Sequence, residues 1–333
     1  MILLDRRLSV APMMEWTDRH CRFLHRLYSP HALLYTEMIV SAAIVRGDAA
    51  RLLEHDAAEQ PVALQLGGCD AVQLAQAARI GAAAGFAEIN LNVGCPSDRV
   101  RKGAFGACLM ADAALVGECV ERMREAVDVP VTVKCRIGID KNEDYEFFAA
   151  FATRMQAAGV AALIVHARIA ILGGLSPKQN REVPPLKYDY VHRLKGERPD
   201  LVVVLNGGLN ACDQVLAQMT SGRSGVALDG VMLGRAAYHR PGLLSELEQS
   251  LINAHWRIPA VESVIEQMVL YARREAVRGV PLHSITRHMH GVISGCDGAR
   301  AWRRFLSEVA ARPQAHPETL YAALPMLSRR VAA

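Results

Sequence analysis

The chain has 333 residues, of which 51% are hydrophobic and 22% charged, and its formal net charge is +4. This composition is typical of a globular protein and excludes a disordered or fibrous chain. No apolar run reaches the roughly 20 residues that a bilayer-spanning helix needs, and the start is too short for a signal peptide. We therefore expect a cytoplasmic protein without a membrane segment, with room for one barrel of roughly 250 residues and a smaller domain.

The eight cysteines are spread along the chain, and none forms a C-x-x-C pair. No cluster of cysteine and histidine has the spacing of a zinc site, so we expect no bound metal. Seven of the cysteines are interpreted as reduced thiols of the protein core. Cys95 differs from them because glycine and proline flank it.

Eight short runs rich in apolar and β-branched residues recur along the first two thirds of the chain. They cover residues 8–13, 33–39, 62–66, 87–91, 131–135, 163–166, 201–205 and 230–233. Helical periodicity fills most of the intervals, as at residues 72–84, 113–126, 145–158 and 213–220. Strands that alternate with helices pair in parallel, and eight such units predict an α/β fold, the (β/α)8 TIM barrel.

Beyond residue 240 the pattern changes, because no strand-like run remains. Helical periodicity covers residues 261–278, 282–292, 299–311 and 317–328. We predict a catalytic TIM barrel over residues 1–240, followed by a small all-α helical domain over residues 241–333.

The predicted helical domain also holds most of the excess positive charge. Residues 241–333 contain eleven arginines, no lysine and eight acidic residues. The planar guanidinium group suits phosphate, which makes binding of nucleic acid one explanation. A solvated helical face is the other explanation, and the arginine count does not decide between them.

Polar or otherwise unusual residues follow every one of the eight predicted strands. They are Met13, Met14 and Glu15, then Glu37, Gln65, Asn92, Lys134, His166, Asn206, and Gly234 with Arg235. A TIM barrel carries its active site at the carboxyl ends of its strands. The recurrence of such residues at these ends therefore predicts an enzyme.

Two glycine turns follow the seventh and eighth predicted strands. Asn206-Gly207-Gly208 ends the seventh strand, and Gly234-Arg235 ends the eighth. Glycine lets peptide N–H groups approach a phosphate, and arginine adds a charge-assisted pair. This corner of a TIM barrel is a recurrent phosphate site. Two ordinary tight turns would look similar, but their joint placement favours a phosphate.

Lys134 lies near the end of the otherwise apolar fifth strand. A buried ammonium group without a partner is costly, so Lys134 needs an acceptor or an anion. The negative charge of a reduced flavin, near its N1 atom, would serve. An ion pair with Glu37 or Glu88 is the alternative.

Other strand ends carry groups that suit a planar ring. The amide of Gln65 can both donate to and accept from a pyrimidine-like ring edge. The backbone around Pro12 and Met13, with Met14 next to it, could pack against the same ring. A lone histidine at a strand end is often structural, so His166 gains weight only because it shares a face with the other groups.

The segment after the fourth strand reads NLNVGCPS at residues 90–97. It places Cys95 in a loop at the expected catalytic face. A free thiol is mostly protonated at neutral pH, so Cys95 is a candidate proton donor. A nucleophile would need a nearby base or a helix N-terminus, and a small buried filler is the structural alternative.

At these residues the chain resembles the tRNA-dihydrouridine synthases. NLNVGCPSDRV at 90–100, with GAFGACLM at 103–110, is similar to the active-site loop of that family. Further motifs fall in the order of the family: APMM at 11–14, TEM at 36–38, LQLGG at 64–68, VKCRIG at 133–138, HAR at 166–168 and NGG at 206–208. The resemblance covers residues 8–312.

Within the family the chain is most similar to the bacterial subfamily that acts on uridines 20 and 20a of the tRNA D-loop. The segments that carry this similarity are GLSPKQNREVPPL at 174–186, ITRHMHG at 285–291 and GARAWRR at 298–304. The chain departs from the subfamily at IAILGG, residues 169–174, and is more basic at Arg101 and Lys102.

The resemblance implies FMN as the bound cofactor and NADPH as the reductant. It implies hydride transfer from the flavin N5 to C6 of uridine, with Cys95 giving a proton to C5 as general acid. The residues implied for FMN binding are Pro12, Met13, Met14, Gln65, Lys134, His166, Asn206, Gly207, Gly208, Gly234 and Arg235. Of these, Gly207, Gly208, Gly234 and Arg235 are assigned to the phosphate.

The resemblance also implies a tRNA substrate whose uridine leaves the base stack, at a cost of a few kcal/mol. Phosphate contacts outside the pocket must offset that cost. The candidates for contact with tRNA are Asn92, facing the uracil or its ribose, and Lys178, Arg181, Arg300, Arg303 and Arg304. Surface solvation is the alternative for the five cations, and we expect the enzyme to be a monomer.

Two other functions share parts of this pattern. A barrel flavoenzyme acting on a free pyrimidine, in the manner of a dihydroorotate dehydrogenase, would share the FMN site but would not need an arginine-rich helical region. A non-catalytic tRNA-binding protein would need neither Cys95 nor FMN. A yellow purified protein with flavin absorbance would argue against this last function.

Overall fold

The structure is a computed structural model that describes residues 4–97, 103–220, 225–295, 298–312 and 314–326. By its internal contacts the chain divides into two units. The first is drawn from Met1–Glu15 and Ala32–Gly234, and the second from Trp16–His31 and Arg235–Ala333.

The first unit is a closed barrel of eight parallel strands in sequence order, with β1 paired to β8. The strands are β1 (Leu8–Val10), β2 (Leu33–Val40), β3 (Val62–Gly67), β4 (Glu88–Val93), β5 (Val131–Arg136), β6 (Leu163–His166), β7 (Val203–Asn206) and β8 (Gly230–Leu233). Each of the eight predicted runs overlaps one of them, to within two residues at the carboxyl end for β2 to β5. The (β/α)8 prediction is therefore confirmed.

Helices occur in both units. In chain order they are α1 (Arg19–Tyr28), α2 (Ser41–Arg46), α3 (Ala49–Leu52), α4 (Ala71–Ala83), α5 (Ala113–Ala126), α6 (Tyr145–Ala157), α7 (Tyr188–Glu197), α8 (Cys212–Met219), α9 (Arg235–His239), α10 (Gly242–Leu247), α11 (Val261–Val277), α12 (Leu282–Thr286) and α13 (Ala299–Phe305). Every described helix is too short or too polar to pass through a lipid bilayer.

Aspartate side chains start three of the barrel helices. Asp70, Asp112 and Asp144 precede α4, α5 and α6, and each carboxylate accepts the backbone N–H three residues further on. Such caps satisfy donors that a helix start otherwise leaves unpaired. The sequence therefore fixes where each chain segment turns from the strand end into the helix.

The interior of the barrel contains both apolar and polar side chains. A buried apolar cluster is formed by Ala11, Leu33, Tyr35, Ala63, Ile164, Val204 and Met232. Strands β3, β4 and β5 contribute buried polar side chains instead, namely Gln65, Glu88, Asn90 and Thr132. Because buried polar groups need partners, these four side chains must be hydrogen bonded to remain there.

The second unit is helical and comprises α1 together with α9 to α13. Asp18 caps α1, accepting the N–H groups of His20 and Cys21, and it also pairs with Arg287 and His288. The division by contacts differs from the predicted cut after residue 240, because residues 16–31 group with the later helices. Which unit binds which ligand stays a prediction.

Helices α1 and α7 were not predicted from the sequence. Both are rich in basic and polar residues, as RHCRFLHRLY and YDYVHRLKGE show, so their apolar stripe is short. In the helical unit, two of the predicted helices are shorter than expected. A 3-10 turn at Met289–Gly291 follows α12, and a π turn at Leu306–Ala310 continues α13.

Candidate active site

Polar residues of β5, β6 and β7, two of them predicted site residues, lie on neighbouring strand ends. The strand register places Arg136 beside His166, and His166 beside Asn206. Carboxyl ends of parallel strands meet at one edge of a barrel, which is where TIM-barrel enzymes react with their substrates. These residues therefore share the face that the sequence predicted.

Lys134 is held by an amide and has no carboxylate partner within the described residues. Its Nζ donates to Asn206 Oδ1 at 3.0 Å, and Asn206 in turn donates through Nδ2 to the carbonyl of Met232 at 2.7 Å. The alternative ion pair with Glu37 or Glu88 is absent, since Glu88 pairs with Arg6. Burial lowers the pKa of Lys134 from 10.5 to about 8, and the nearby Arg136 adds to the shift. This arrangement suits an anionic ligand.

His166 is a buried imidazole that hydrogen bonds to none of the described residues. Burial, together with Arg136 and Lys134 close by, holds its pKa well below the usual 6.5. The ring is therefore neutral at physiological pH and offers one donor and one acceptor. A Cβ on Gly207 would lie 2.5 Å from His166 Cδ2, so that glycine allows the next turn to pack against the ring.

The turns after β7 and β8 present unused peptide N–H groups. Gly207 and Gly208 have φ values of +112° and +73°, which side chains other than glycine rarely adopt. Tyr188 Oη donates to the carbonyl of Gly207 at 2.6 Å and so fixes the orientation of this turn. The N–H groups of Gly207, Gly208 and Gly234 donate to no described residue. Three such donors on adjoining strand ends fit a phosphate group.

Arg235 begins α9 and belongs to the second unit by its contacts. Its predicted contact with the phosphate stays a prediction. The same holds for the segment after β1. Pro12 and Met13 are partly buried, with Met13 packed against the apolar cluster of the barrel, whereas Met14 is 56% exposed.

Asn92 shapes the loop that carries Cys95. Its Oδ1 accepts the backbone N–H of Cys95 at 3.0 Å and that of Gly94 at 3.2 Å, and its Nδ2 donates to Gln65 Oε1 at 2.8 Å. Both ends of the Asn92 amide are thus engaged within the protein. Its predicted contact with uracil or ribose stays a prediction, and its role in holding the loop was missed from the sequence.

Cys95 is partly buried and lies close to the hydroxyl of Ser97, with 3.4 Å between Sγ and Oγ. The carbonyl of Cys95 accepts the N–H of Ala107 at 2.9 Å, which joins the loop to a 3-10 helix at Gly106–Ala111. The interpretation of the other cysteines as core thiols is confirmed for the buried Cys21, Cys119 and Cys135. It is wrong for Cys69, Cys108 and Cys212, which are partly exposed; Cys296 lies outside the described residues.

Arg136 is the main site residue that sequence reasoning missed. Only 2% of it is exposed, and its guanidinium donates to the carbonyls of Gly94 at 3.0 Å, Ile169 at 2.8 Å and Asn180 at 2.8 Å. Arg136 therefore joins the Cys95 loop to the segment after β6. The available signal was its position two residues after Lys134, on the same face of β5.

Asn180 organises that segment after β6. Its Oδ1 accepts the N–H of Ile171 at 2.8 Å, and its Nδ2 donates back to the carbonyl of Ile171 at 2.9 Å. Lys178 and Arg181, two candidates for contact with phosphate, are exposed on either side of the buried Asn180. The basic pair Arg101 and Lys102 lies outside the described residues.

Arg300, Arg303 and Arg304 lie on α13, and all three side chains are exposed. Their spacing of three and four residues places them on one face of the helix. No guanidinium of the three forms a hydrogen bond or ion pair with a described residue. Within the described ranges there is also no group of three or more histidine, cysteine or acidic residues that could hold a metal ion.

A closed parallel barrel with a lysine, a neutral histidine and free peptide donors at its strand ends defines an enzyme of the TIM-barrel class. Comparison with known proteins supplies the family. The protein-family sequence model described as Dihydrouridine synthase (Dus) matches residues 9–326, so the chain belongs to the dihydrouridine synthase family.

Curated relatives agree over nearly the whole chain. The tRNA-dihydrouridine(20/20a) synthase of Xanthomonas axonopodis pv. citri (strain 306) is 52% identical over 324 residues, which cover 97% of this chain and 95% of that protein. The enzyme of the same name from Haemophilus ducreyi is 49% identical, with 96% of each chain covered. Among solved structures, morphinone reductase is similar in fold, with a TM-score of 0.52 at 14% identity over 73% of this chain and 85% of that one.

Proposed function

We propose that this chain reduces the C5=C6 bond of uridine to 5,6-dihydrouridine in the tRNA D-loop, at positions 20 and 20a. FMN is the bound cofactor and NADPH the reductant in this proposal. The observation that carries it is a lysine without a carboxylate partner beside three unused peptide N–H groups, a pairing that suits a phosphorylated anionic cofactor. The curated relatives are named for the same modification of tRNA.

The donor set at the strand ends fits FMN in two places. The N–H groups of Gly207, Gly208 and Gly234 would hold the phosphate, with Arg235 as the predicted cation. The ring edge would face Lys134, Gln65 and His166, with Asn206 orienting the lysine and the Pro12–Met14 segment packing on the ring. When bound, FMN supplies the hydride that uridine receives at C6.

The side chains of the protein would supply the remaining chemistry. After hydride addition at C6, the uracil ring needs a proton at C5, and the Cys95 thiol is the candidate donor. Asn92 holds the backbone of Cys95, and Arg136 ties the preceding Gly94 to the segment after β6. The proton donor is therefore fixed by two separate sets of hydrogen bonds.

The affinity for FMN is expected to fall as the pH rises above about 8. Lys134 has a pKa of about 8 without ligand, and an anion against its ammonium group would raise that pKa. At a pH between the pKa of Lys134 without ligand and its higher pKa with the anion bound, Lys134 must take up a proton when FMN binds. The affinity for FMN therefore falls by up to about tenfold per pH unit in that range. Fluorescence titration of the FMN-free protein from about pH 7 to about pH 9.5 measures this dependence.

Lys134→Met is the matched control for this pH dependence. The variant should bind FMN more weakly at pH 7, with an affinity that changes little across the same range. Equal pH profiles of FMN affinity for the variant and the wild type would show that another group controls FMN binding.

The lowered pKa of Lys134 also affects folding stability. Because the folded pKa lies below the unfolded value of 10.5, Lys134 destabilises the ligand-free protein below about pH 8, and this cost fades as the pH rises toward 10.5.

A tRNA substrate requires phosphate contacts that offset extrusion of the uridine. Lys178 and Arg181 on the segment after β6, and Arg300, Arg303 and Arg304 on α13, are proposed to make them. The three arginines support the proposal most directly, since their charged groups are exposed and bond to no described residue.

Neutralising Arg300, Arg303 and Arg304 together should weaken tRNA binding and flatten its salt dependence. Each lost phosphate contact lowers the slope of log affinity against log salt by about 0.7–0.9. The triple glutamine variant should thus have a slope that is smaller in magnitude by about 2–3 units in a filter-binding or fluorescence titration. Arg122→Gln is the control, because Arg122 is exposed on α5 but already pairs with Glu125. A triple variant with an unchanged slope would assign these arginines to solvation alone.

The decisive experiment incubates the purified protein with NADPH and tRNA from a strain that lacks dihydrouridine. Mass-spectrometric mapping of dihydrouridine at positions 20 and 20a is the expected result. Dihydrouridine at other positions would keep the chemistry and overturn the positions. Flavin-loaded protein that oxidises NADPH but yields no modified tRNA would instead indicate a small-molecule substrate.

A further inference from the structure

Every second residue of β4 carries a polar side chain into the barrel interior. Glu88, Asn90 and Asn92 alternate with Ile89, Leu91 and Val93, and the three polar side chains are buried. Polar side chains in a barrel interior are costly unless they are hydrogen bonded. Their partners form one chain of hydrogen bonds that runs from the amino end of β4 to the Cys95 loop.

The upper part of this chain connects the loop to the middle of the barrel. The backbone N–H of Cys95 donates to Asn92 Oδ1 at 3.0 Å, and Asn92 Nδ2 donates to Gln65 Oε1 at 2.8 Å. Gln65 Nε2 then donates to Asn90 Oδ1 at 2.7 Å. Each amide accepts from the side nearer the loop and donates toward the amino end of β4.

The lower part of the chain ends on a carboxylate. Asn90 Nδ2 donates to Thr132 Oγ1 at 2.9 Å, and Thr132 Oγ1 donates to Glu88 Oε1 at 2.6 Å. Tyr35 Oη donates to the same oxygen at 2.6 Å, and Arg6 Nη2 donates to Glu88 Oε2 at 2.5 Å. Glu88 only accepts, so all the hydrogen bonds of the chain run in one direction.

We propose that Glu88 is a positioning residue whose carboxylate sets the direction of this chain and thereby orients the Gln65 and Asn92 amides and holds the Cys95 loop. Glu88 lies at the amino end of β4, opposite the catalytic face, and touches no reacting group. An amide has different atoms at its two ends, so its orientation decides whether it accepts or donates. The catalytic significance of the loop rests on the proposed function, but the hydrogen-bond chain does not.

Glu88→Gln should reverse the chain. With its carbonyl oxygen toward Thr132, the new amide would direct its NH₂ at the Arg6 guanidinium, where two donors would face each other. With its NH₂ toward Thr132 instead, the hydroxyl and then the Asn90 and Gln65 amides must turn. The reversal would end with Asn92 directing its NH₂ at the backbone N–H of Cys95, and the cap of the loop would be lost.

Restoring the direction should restore the loop. In the double variant Arg6→Gln with Glu88→Gln, the side-chain carbonyl oxygen at position 6 can accept a hydrogen bond from the amide NH₂ group at position 88. The carbonyl oxygen at position 88 then faces Thr132 again, as the carboxylate does in the wild type. A merely structural role for the ion pair predicts the opposite, since the double variant lacks both charges.

The test is the alkylation rate of Cys95 by iodoacetamide in the purified holoenzyme, read by peptide mass spectrometry. Glu88→Gln should raise this rate roughly tenfold, about the effect of one lost hydrogen bond. The double variant should return it to within about twofold of the wild type. Cys212, partly exposed on α8, is the internal control and should react at one rate in all three proteins. Equal Cys95 rates in the wild type and Glu88→Gln, or a parallel rise at Cys212, would overturn the proposal.

A second pair of variants tests the chain if Glu88→Gln does not fold. Thr132→Val removes the hydroxyl that links Asn90 to Glu88, whereas Thr132→Ser keeps it, and both leave Arg6 and Glu88 unchanged. Cys95 should react faster in the valine variant and at the wild-type rate in the serine variant. Equal rates in the two would refute the chain. Because the readout is thiol reactivity, it stands even if no uridine is reduced.

Discussion

Replacing Cys95 with alanine is expected to lower the rate of uridine reduction by about 10²–10⁴-fold while leaving flavin reduction by NADPH unchanged. The reason is that only the uridine step needs a proton at C5, and the Cys95 thiol is the candidate donor at the strand ends. Rapid-mixing measurements separate the two half-reactions, with flavin absorbance reporting the first and tRNA-dependent reoxidation the second.

The matched control for Cys95 is Cys108→Ala. Cys108 is also partly exposed, but its thiol donates to the carbonyl of Phe105 at 3.1 Å within the neighbouring 3-10 segment. This variant should reduce uridine at nearly the wild-type rate. Loss of FMN from Cys95→Ala would contradict the prediction and assign Cys95 a structural role. Cys95→Ser, which keeps a weak donor, should retain more activity than the alanine variant.

The parts of the site that the sequence predicted are those carried by strand periodicity. Lys134 and His166 interrupt apolar strands at their carboxyl ends, and a barrel brings such ends together whatever the details of packing. The glycines after β7 and β8 were predictable for the same reason. The periodicity of the strands was enough to predict these positions, because a closed parallel barrel brings the carboxyl ends of all its strands to one face.

The parts that the sequence did not predict depend on partners far away in the chain. Arg136 bonds to three carbonyls, all of them more than 30 residues away in the chain, and nothing local distinguishes it from a surface arginine. Glu88 pairs with Arg6, 82 residues distant, so the predicted alternative of a Lys134 pair was reasonable but absent. The direction of each amide is likewise set by the carboxylate at the end of the chain, not by the sequence around it.

Positive charge dominates the neighbourhood of His166. Arg136, Lys134, Arg168 and Arg181 all lower the pKa of His166 through their charges. Each of these cations would be stabilised by an anion, and so would the partial charges of the unused N–H groups. A phosphorylated cofactor and a substrate with a phosphodiester backbone would both lower the energy of this charge distribution. This favours the tRNA proposal over a neutral small molecule as the substrate.

The second large effect is expected at Arg136, where Arg136→Met should lower the activity of the protein that is still folded as well as its stability. Three charge-assisted hydrogen bonds are worth about 1.5–3 kcal/mol each. Against this stands the burial of the guanidinium, which lowers the pKa of Arg136 from 12.5 to about 10, a cost of roughly 3 kcal/mol that the variant no longer carries. The net loss of folding stability should therefore be about 2–6 kcal/mol.

The folded variant should also lose activity, because Arg136 is the only described link from the carbonyl of Gly94 to those of Ile169 and Asn180. Without it, the Cys95 loop and the segment bearing Lys178 and Arg181 would move independently, and misplacement by about 1 Å can cost about 10²-fold in rate. Chemical denaturation and steady-state kinetics on the same preparations measure the two effects. Arg124→Met is the control, since Arg124 donates to the carbonyl of Ala158, away from the strand ends. If Arg136→Met and Arg124→Met lowered activity in the same proportion to their loss of stability, Arg136 would have only a packing role.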